Sequence, residues 1–532
     1  MTRRFAIALL ALSLSANAQA PRRPKLIVAI AVDQFRYDYL TRFRDQYNGG
    51  LARLLTQGAV FTNAYYEHFP TVTAIGHSTF LSGATPSVSG IIGNDWWDRA
   101  TNKSVTSVED DKVTMLGGEG KAGKAASPRR MLVSTVGDEL KISGRGAKVV
   151  GVSVKDRSAI LPAGHMADGA YWFDSNSGNF VSSTYYFPQL PEWAEAFNKT
   201  RMADKFVGAE WKPVGGGEAL KTLSSQADKD YYNSLDSTPF SNELVEKFAE
   251  AAIAGEQLGK HPNRTDLLAV SFSANDYVGH AVGPDHPQVR DISIRTDRML
   301  GEFFRFLDAQ VGMRNVVVVF TADHGVAPVP EVNAARKMPG GRLSKLAETI
   351  EAQLAHKYGQ GKWILKGGTS TFLNRRLIAE RNLNLKEVAE TAAAAAREIP
   401  HVFRVYTYEQ LRTGSVPGDL FDRRIVNGFH HERGADVTII PDPYYLSEGK
   451  AGTTSHGAPF GYDAHVPIVF LGDWIKAGRY HQKVMVNDIA PTLATLMDVE
   501  TPSGAVGRAL HEVLKAPAGA APAAAPAPTA SR

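Results

Sequence analysis

The stretch LIVAIAVD, residues 26–33, sets the fold. Every side chain from Leu26 to Val32 is apolar, so the run has no face to offer water. Such a run is a strand buried on both sides, the environment of a parallel sheet covered by helices. It ends in an aspartate, Asp33, and in open parallel sheets ligands bind at the carboxyl ends of the strands.

Four further runs share this character: AKVVGVSV (147–154), LLAVSFS (267–273), VVVVF (316–320) and VPIVFLG (466–472). Separated by helical stretches, they predict an α/β fold: a large, mostly parallel sheet sandwiched by helices. The regions 96–132, 171–238 and 326–434 carry Gly, Asn, Lys and aromatic residues in irregular order. They read as insertions that cap the sheet's carboxyl edge. Within the last, LNLKEVAETAAAAAREI (383–399) is a run of good helix formers. Length alone would accommodate roughly three domains of ~150 residues, but a single catalytic domain over 21–515 with these insertions fits as well.

The chain starts MTRRFAIALLALSLSANAQA, a basic start, a short apolar run and small residues ending in Ala18-Gln19-Ala20. That is the pattern of a secretory signal over 1–20, cleaved after Ala18 or Ala20, and it predicts a periplasmic or secreted protein. No later segment approaches the ~20 apolar residues of a spanning helix, so no transmembrane anchor is expected. The Ala/Pro-rich residues 516–532 cannot build a core and read as a disordered tail. Cysteine is absent, which excludes disulfides and thiolate chemistry and leaves His and carboxylate oxygen as metal ligands. A net charge of +4 over 532 residues, with no basic run, argues against a nucleic-acid partner.

Acidic and imidazole groups gather after the strands. Asp323 and His324 follow VVVVFTA, Asp276 and His280 follow LLAVSFSAN, and His456 lies in TTSHGAPFGYD. One aspartate after one strand is more often a cap or a turn residue. Asp276 and His280, four apart, share a helix face, and the convergence of three strand ends predicts a two-ion site. Without thiolates the set suits Zn²⁺, although Mn²⁺ or Co²⁺ would be tolerated. Two such ions can flank a phosphoryl or sulfuryl centre. In FPTVTAIGHSTFLSG (69–83), Thr71 and Thr73 stand where a helix leaves N–H groups pointing at an anion, so either is a cap or a nucleophile. In VKDRSAILPAGH (154–165), an extended backbone would turn Lys155 and Arg157 the same way and Asp156 aside; otherwise they form an exposed charged turn. His68, His77, His165, His286 and Asp38 lie near these motifs without a ligand role; His77 and His165 are expected to orient loops or bond backbone, and His286 to be solvated.

From VDQFRYDYL (32–40) to VNDIAPTLATL (486–496) these motifs resemble the alkaline phosphatase superfamily. The similarity is to its threonine-nucleophile branch, which contains the nucleotide pyrophosphatase/phosphodiesterases and the PafA-like alkaline phosphatases. The resemblance implies that the second threonine of Pro70-Thr71-Val72-Thr73 is the nucleophile, leaving Thr71 as a structural cap, and that Asn94 of GIIGN donates to a phosphate oxygen. It implies two Zn²⁺ per chain, one held by Asp276, His280 and His456, the other by Asp33, Asp323 and His324 with Thr73 completing it. Lys155 and Arg157 match the Lys-Asp-Arg segment with which PafA-like enzymes contact a dianionic monoester. The implied activity is hydrolysis of small-molecule phosphate monoesters through a phosphothreonine, with release of inorganic phosphate. A phosphodiesterase using the same site is the alternative; a sulfatase is disfavoured without cysteine, and a metal-bound binding protein without turnover is the remaining reading.

Overall fold

Leu26–Val32 lies at the middle of a ten-stranded sheet, with no residue of the run reaching solvent. The computed structural model describes residues 23–118, 125–447 and 449–515; the expected signal, 1–20, and tail, 516–532, fall outside the described residues. Leu26–Val32 pairs in parallel with Asp266–Phe272 on one side and with Val316–Thr321 on the other. Val149–Ser153 and then Gly169–Asp174 extend the parallel set beyond Asp266–Phe272. The helices Gly50–Gln57, Pro239–Gly255 and Pro287–Gln310 pack together on one face, and Thr73–Ser82, Val136–Ile142, Asp156–Ala163 and Ile489–Met497 on the other. The α/β sandwich expected from the apolar runs is therefore the observed fold.

Two stretches differ from expectation. Ile468–Leu471, within the run read as parallel, is antiparallel to both Val316–Thr321 and Ala59–Phe61. The loop before it carries His456 at the carboxyl edge, so this strand departs from that edge instead of arriving there, and burial on both faces does not record direction. The stretch 171–238, expected to stand over the sheet, begins inside it: Gly169–Asp174 and Asn179–Ser183 are sheet strands. The polar end of the second is hidden because the Ser182 and Ser183 hydroxyls donate to the carbonyls of Ala170 and Ala126 at 2.6 and 2.7 Å.

The third inserted stretch folds around its own core. Its four-stranded sheet, completed by Val437–Pro441, is backed by Leu346–Tyr358 and Leu385–Arg397, the latter within the helix expected over 383–399. Asn384 caps that helix by accepting from the Lys386 and Glu387 N–H groups, and Ala392, Ala393 and Ala396 turn into the core. A buried contact ties the unit to the loops at 67 and 459: the Arg424 guanidinium pairs with Glu67 at 3.2 Å and also donates to the Pro459 carbonyl. Between the unit and the carboxyl edge lies a cavity of about 370 Å³, bordered by Pro70, Asn94, Trp96, Lys366, Phe429 and His456. No described helix is long and apolar enough to cross a membrane.

Candidate active site

Four neighbouring parallel strands, in the lateral order Val316–Thr321, Leu26–Val32, Asp266–Phe272 and Val149–Ser153, end at the same edge. Each delivers a charged group there: Asp323 and His324, then Asp33, then Asp276 with His280, then Lys155. Asp276 and His280 sit on Ala274–Val282, one turn apart, with His280 Nε2 at 3.2 Å from Asp276 Oδ1. His456 comes in from its loop, its Nε2 3.8 Å from the same oxygen. On the neighbouring ends, His324 Nε2 is 3.4 Å from Asp33 Oδ1 and 3.3 Å from Asp323 Oδ2. The ligand-type atoms thus fall into two groups, Asp276/His280/His456 and Asp33/Asp323/His324, each spanning no more than 4.8 Å.

The donors around these groups prepare them for cations. His280, His324 and His456 each hold a backbone carbonyl through Nδ1, those of Thr454, Gly325 and Thr71, at 2.8, 2.9 and 2.8 Å. A carbonyl only accepts, so Nδ1 carries the hydrogen and Nε2 is the nitrogen turned toward the group, the arrangement typical of metal-ligating histidines. Among the described residues, no hydrogen-bond donor reaches the buried Asp33 Oδ1 and Asp323 Oδ2, a cost that a bound cation would remove. Burial, then the charges of Asp276 and Asp323, push the Asp33 carboxyl up to about 7 against the pull of Lys155. Burial also opposes ionisation of Asp276, but Lys155 and His280 outweigh it and hold that carboxyl well below its usual range. The His280 imidazole, depressed by burial but raised more by Asp276, is pushed up to about 9. Burial takes His324 down to about 4 and His456 well below its usual value, which keeps both neutral. This donor set, three carboxylates and three imidazoles without sulfur, fits Zn²⁺.

Thr73 is the first residue of the Thr73–Ser82 helix, buried, with Oγ1 at 3.4 Å from His324 Nε2. Gly76 brings that helix against the strand end, since a Cβ there would lie 2.2 Å from the Asp323 carbonyl oxygen. Asn94 caps the helix from outside, its Oδ1 accepting from the Ala74 N–H at 2.8 Å, which turns its Nδ2 outward as a donor. Thr71, expected as a cap, is not one: Val72 occupies the capping position. Instead the Thr71 hydroxyl donates to the Ala458 carbonyl at 2.9 Å while its own carbonyl receives His456, so it ties the segment before Thr73 to the histidine loop.

The Lys155/Arg157 segment also differs from expectation. Lys155 is extended, but a helix, Asp156–Ala163, starts immediately after it, so Arg157 lies in a first helical turn instead of two strand positions away. The Asp156 carboxylate accepts from the Arg157 N–H at 2.6 Å, a local bond that favours the helix start. Lys155 is buried, its Nζ 2.6 Å from both Asp33 Oδ2 and Asp276 Oδ2, and so joins the two groups. Arg157 acts electrostatically on Lys155 and, with it, on the Tyr277 ring, above which Lys155 Nζ lies at 4.9 Å.

The residues set aside have the expected surroundings. His77 bonds the Thr73 carbonyl and Ser271 Oγ at 2.9 and 2.8 Å, and His165 the Met131 carbonyl at 2.9 Å. His286 is an exposed helix cap, Asp38 pairs with Arg36, and His68 is buried with no partner for its ring nitrogens among the described residues. Two further residues, Asp463 and Gln34, contribute to the site. Asp463 Oδ2 accepts from the Ala458 N–H at 2.7 Å and braces the His456 loop. Gln34 reaches both groups, donating from its backbone to Asp323 and from its side chain to Asp276. Only Asp463 was open to discovery, because it closes the Gly-rich stretch that holds His456.

Known proteins resemble this chain along most of its length. The model of the family described as type I phosphodiesterase / nucleotide pyrophosphatase matches residues 27–463. The chain is 36% identical to alkaline phosphatase PafA of Elizabethkingia meningoseptica, across 94% of this chain and 96% of that protein. It is 35% identical to alkaline phosphatase PhoV of Synechococcus elongatus, across 93% and 94% respectively. The crystal structure of wild-type PafA superposes with a TM-score of 0.87 at 36% identity, covering 93% of this chain and 100% of that one.

Proposed function

Since this chain belongs to the type I phosphodiesterase / nucleotide pyrophosphatase family and is an alkaline phosphatase, we propose that it is an exported, zinc-dependent phosphomonoesterase acting through a phosphothreonine on Thr73. The observation that carries this reading is a buried threonine hydroxyl at a helix start, beside two preorganised groups of carboxylate and imidazole. Asp276, His280 and His456 would hold one ion, and Asp33, Asp323 and His324 the other. When bound, the two ions supply Lewis-acid charge that eases ionisation of a hydroxyl and offsets charge on a departing oxygen.

The chain's own groups account for the rest. Thr73 Oγ1 attacks phosphorus as the ester oxygen leaves in line, and water then cleaves the phosphothreonine to release inorganic phosphate and restore the hydroxyl. The N-terminus of Thr73–Ser82 turns its dipole toward the transferred group. Asn94 Nδ2 donates to an equatorial oxygen, where phosphoryl-transfer transition states carry charge, because Oδ1 is committed to Ala74. Lys155 and Arg157 add the positive charge that a dianionic monoester matches better than a monoanionic diester. The signal-like residues 1–20 support export, and the substrates are small phosphate esters. The 370 Å³ cavity beside Asn94 and His456 favours one second reading, a phosphodiesterase whose extra ester group occupies it.

Acid quenching of the zinc-loaded enzyme during turnover of an aryl phosphate, followed by mass spectrometry, tests the intermediate. The expected product is a phosphopeptide modified at Thr73, with Thr73→Ala giving neither the adduct nor turnover while retaining its zinc. Undiminished turnover in Thr73→Ala would sink the proposal.

A further inference from the structure

Gln34 stands between the two ligand groups and touches a carboxylate of each. Its backbone N–H donates to Asp323 Oδ1 at 3.0 Å, and its side-chain Nε2 donates to Asp276 Oδ1 at 2.6 Å. Gln34 makes both contacts with φ at 62°, in the left-handed region that a residue with a Cβ avoids. Conformations of this kind persist where the surroundings over-determine them, and they gather at functional sites. Those surroundings are specific here. The amide lies against Gly279, on the same helix as Asp276 and His280, and a Cβ at that glycine would come within 1.7 Å of Gln34 Oε1. Oε1 itself is buried without a hydrogen-bond partner among the described residues, so the amide is placed for what its nitrogen donates to.

That acceptor is a group whose orientation matters. Asp276 Oδ2 is occupied by Lys155 at 2.6 Å, while Oδ1 faces His280 and His456. Gln34 therefore fixes the oxygen that looks toward the two imidazoles, and through its N–H it anchors the same assembly to Asp323. Donors of this sort orient a ligating carboxylate, and their loss typically weakens metal binding by 10–100-fold.

We propose that Gln34 is a positioning residue, which holds the Asp276 carboxylate in register for the ion at Asp276/His280/His456 and sets that group against the Asp33/Asp323/His324 group. The inference rests on the two-metal reading. Two variants separate the donor from the backbone: Gln34→Met keeps volume and left-handed strain but removes the amide, and Gln34→Gly removes the side chain and the strain together. Wild type and variants, stripped of metal, are titrated with Zn²⁺ against a chromophoric chelator and with Co²⁺ by visible absorption; His280→Ala identifies which step belongs to its group. Both variants should bind that ion about 10–100-fold more weakly, with an altered cobalt spectrum for that step, while the other ion and the metal-free melting temperature hold. Two ions bound by the wild type with unchanged affinities in both variants overturns the inference alone. Equal weakening of both ions together with a lowered metal-free melting temperature also overturns it, in favour of a folding role. A wild type that takes up fewer than two ions overturns the metal reading and the inference with it.

Discussion

Asp33→Asn should stabilise the metal-free protein at neutral and alkaline pH while removing a candidate ligand. Asp33 is fully buried, and burial together with Asp276 and Asp323 raises its carboxyl from an ordinary 3.8 to about 7. Below about pH 4 the folded and unfolded chains both hold the proton, and the group contributes nothing. From there to about pH 7 the unfolded chain releases the proton and the folded chain keeps it, so stability falls as pH rises. A separation of about 3 pH units corresponds to about 4 kcal/mol, lost by pH 7 and constant above it. Asparagine has nearly the same shape and no such titration, and Lys155 retains Asp276 at 2.6 Å as its partner. Urea unfolding with chelator present should find the variant more stable by up to about 4 kcal/mol at pH 8, with the gap below about 2 kcal/mol at pH 5. Saturating zinc should reverse the order, because ions held by the folded wild type add to its stability. A metal-free variant less stable than wild type at pH 8 would refute the reasoning, since pairing with Lys155 would then outweigh repulsion among the carboxylates.

Asn94→Asp keeps an oxygen for the Ala74 N–H but loses the Nδ2 donor; its melting temperature should match wild type while kcat/KM for an aryl monoester falls by about 10²–10³. Thr71→Val removes the hydroxyl bond to Ala458, so chemical denaturation should register a loss of about 1 kcal/mol with turnover largely kept, and inactivation as deep as in Thr73→Ala would contradict the assignment of the two threonines. Gly76→Ala forces a methyl to within 2.2 Å of the Asp323 carbonyl oxygen; the expected cost is about 1–3 kcal/mol in unfolding, with weaker metal binding at the Asp33/Asp323/His324 group.

Much of the site is legible because Asp33, Asp323, Asp276 and Lys155 each follow a run too apolar to be anything but a buried strand, and parallel neighbours end at one edge. Direction is less legible: Ile468–Leu471 is as apolar as its neighbours yet runs the other way. Asn179–Ser183 ends in serines that hydrogen-bond inside the sheet, so its polarity concealed a strand. Lys155 and Arg157 would face one way in an extended chain, but the helix starts at Asp156 and leaves both residues near Tyr277 by a different geometry. Thr71 and Gln34 take their roles from partners distant in the chain, Ala458 and His456 for one, Asp276 and Asp323 for the other, which no local pattern encodes.

The most direct test of a phosphomonoesterase specified by Lys155 and Arg157 is kcat/KM of the zinc-loaded protein for an aryl phosphate monoester and for the matching methyl aryl diester with the same leaving group. The account predicts a large monoester preference that shrinks in the Lys155→Ala/Arg157→Ala double variant. A diester preference in the wild type, or a monoester preference untouched by the double substitution, would contradict it.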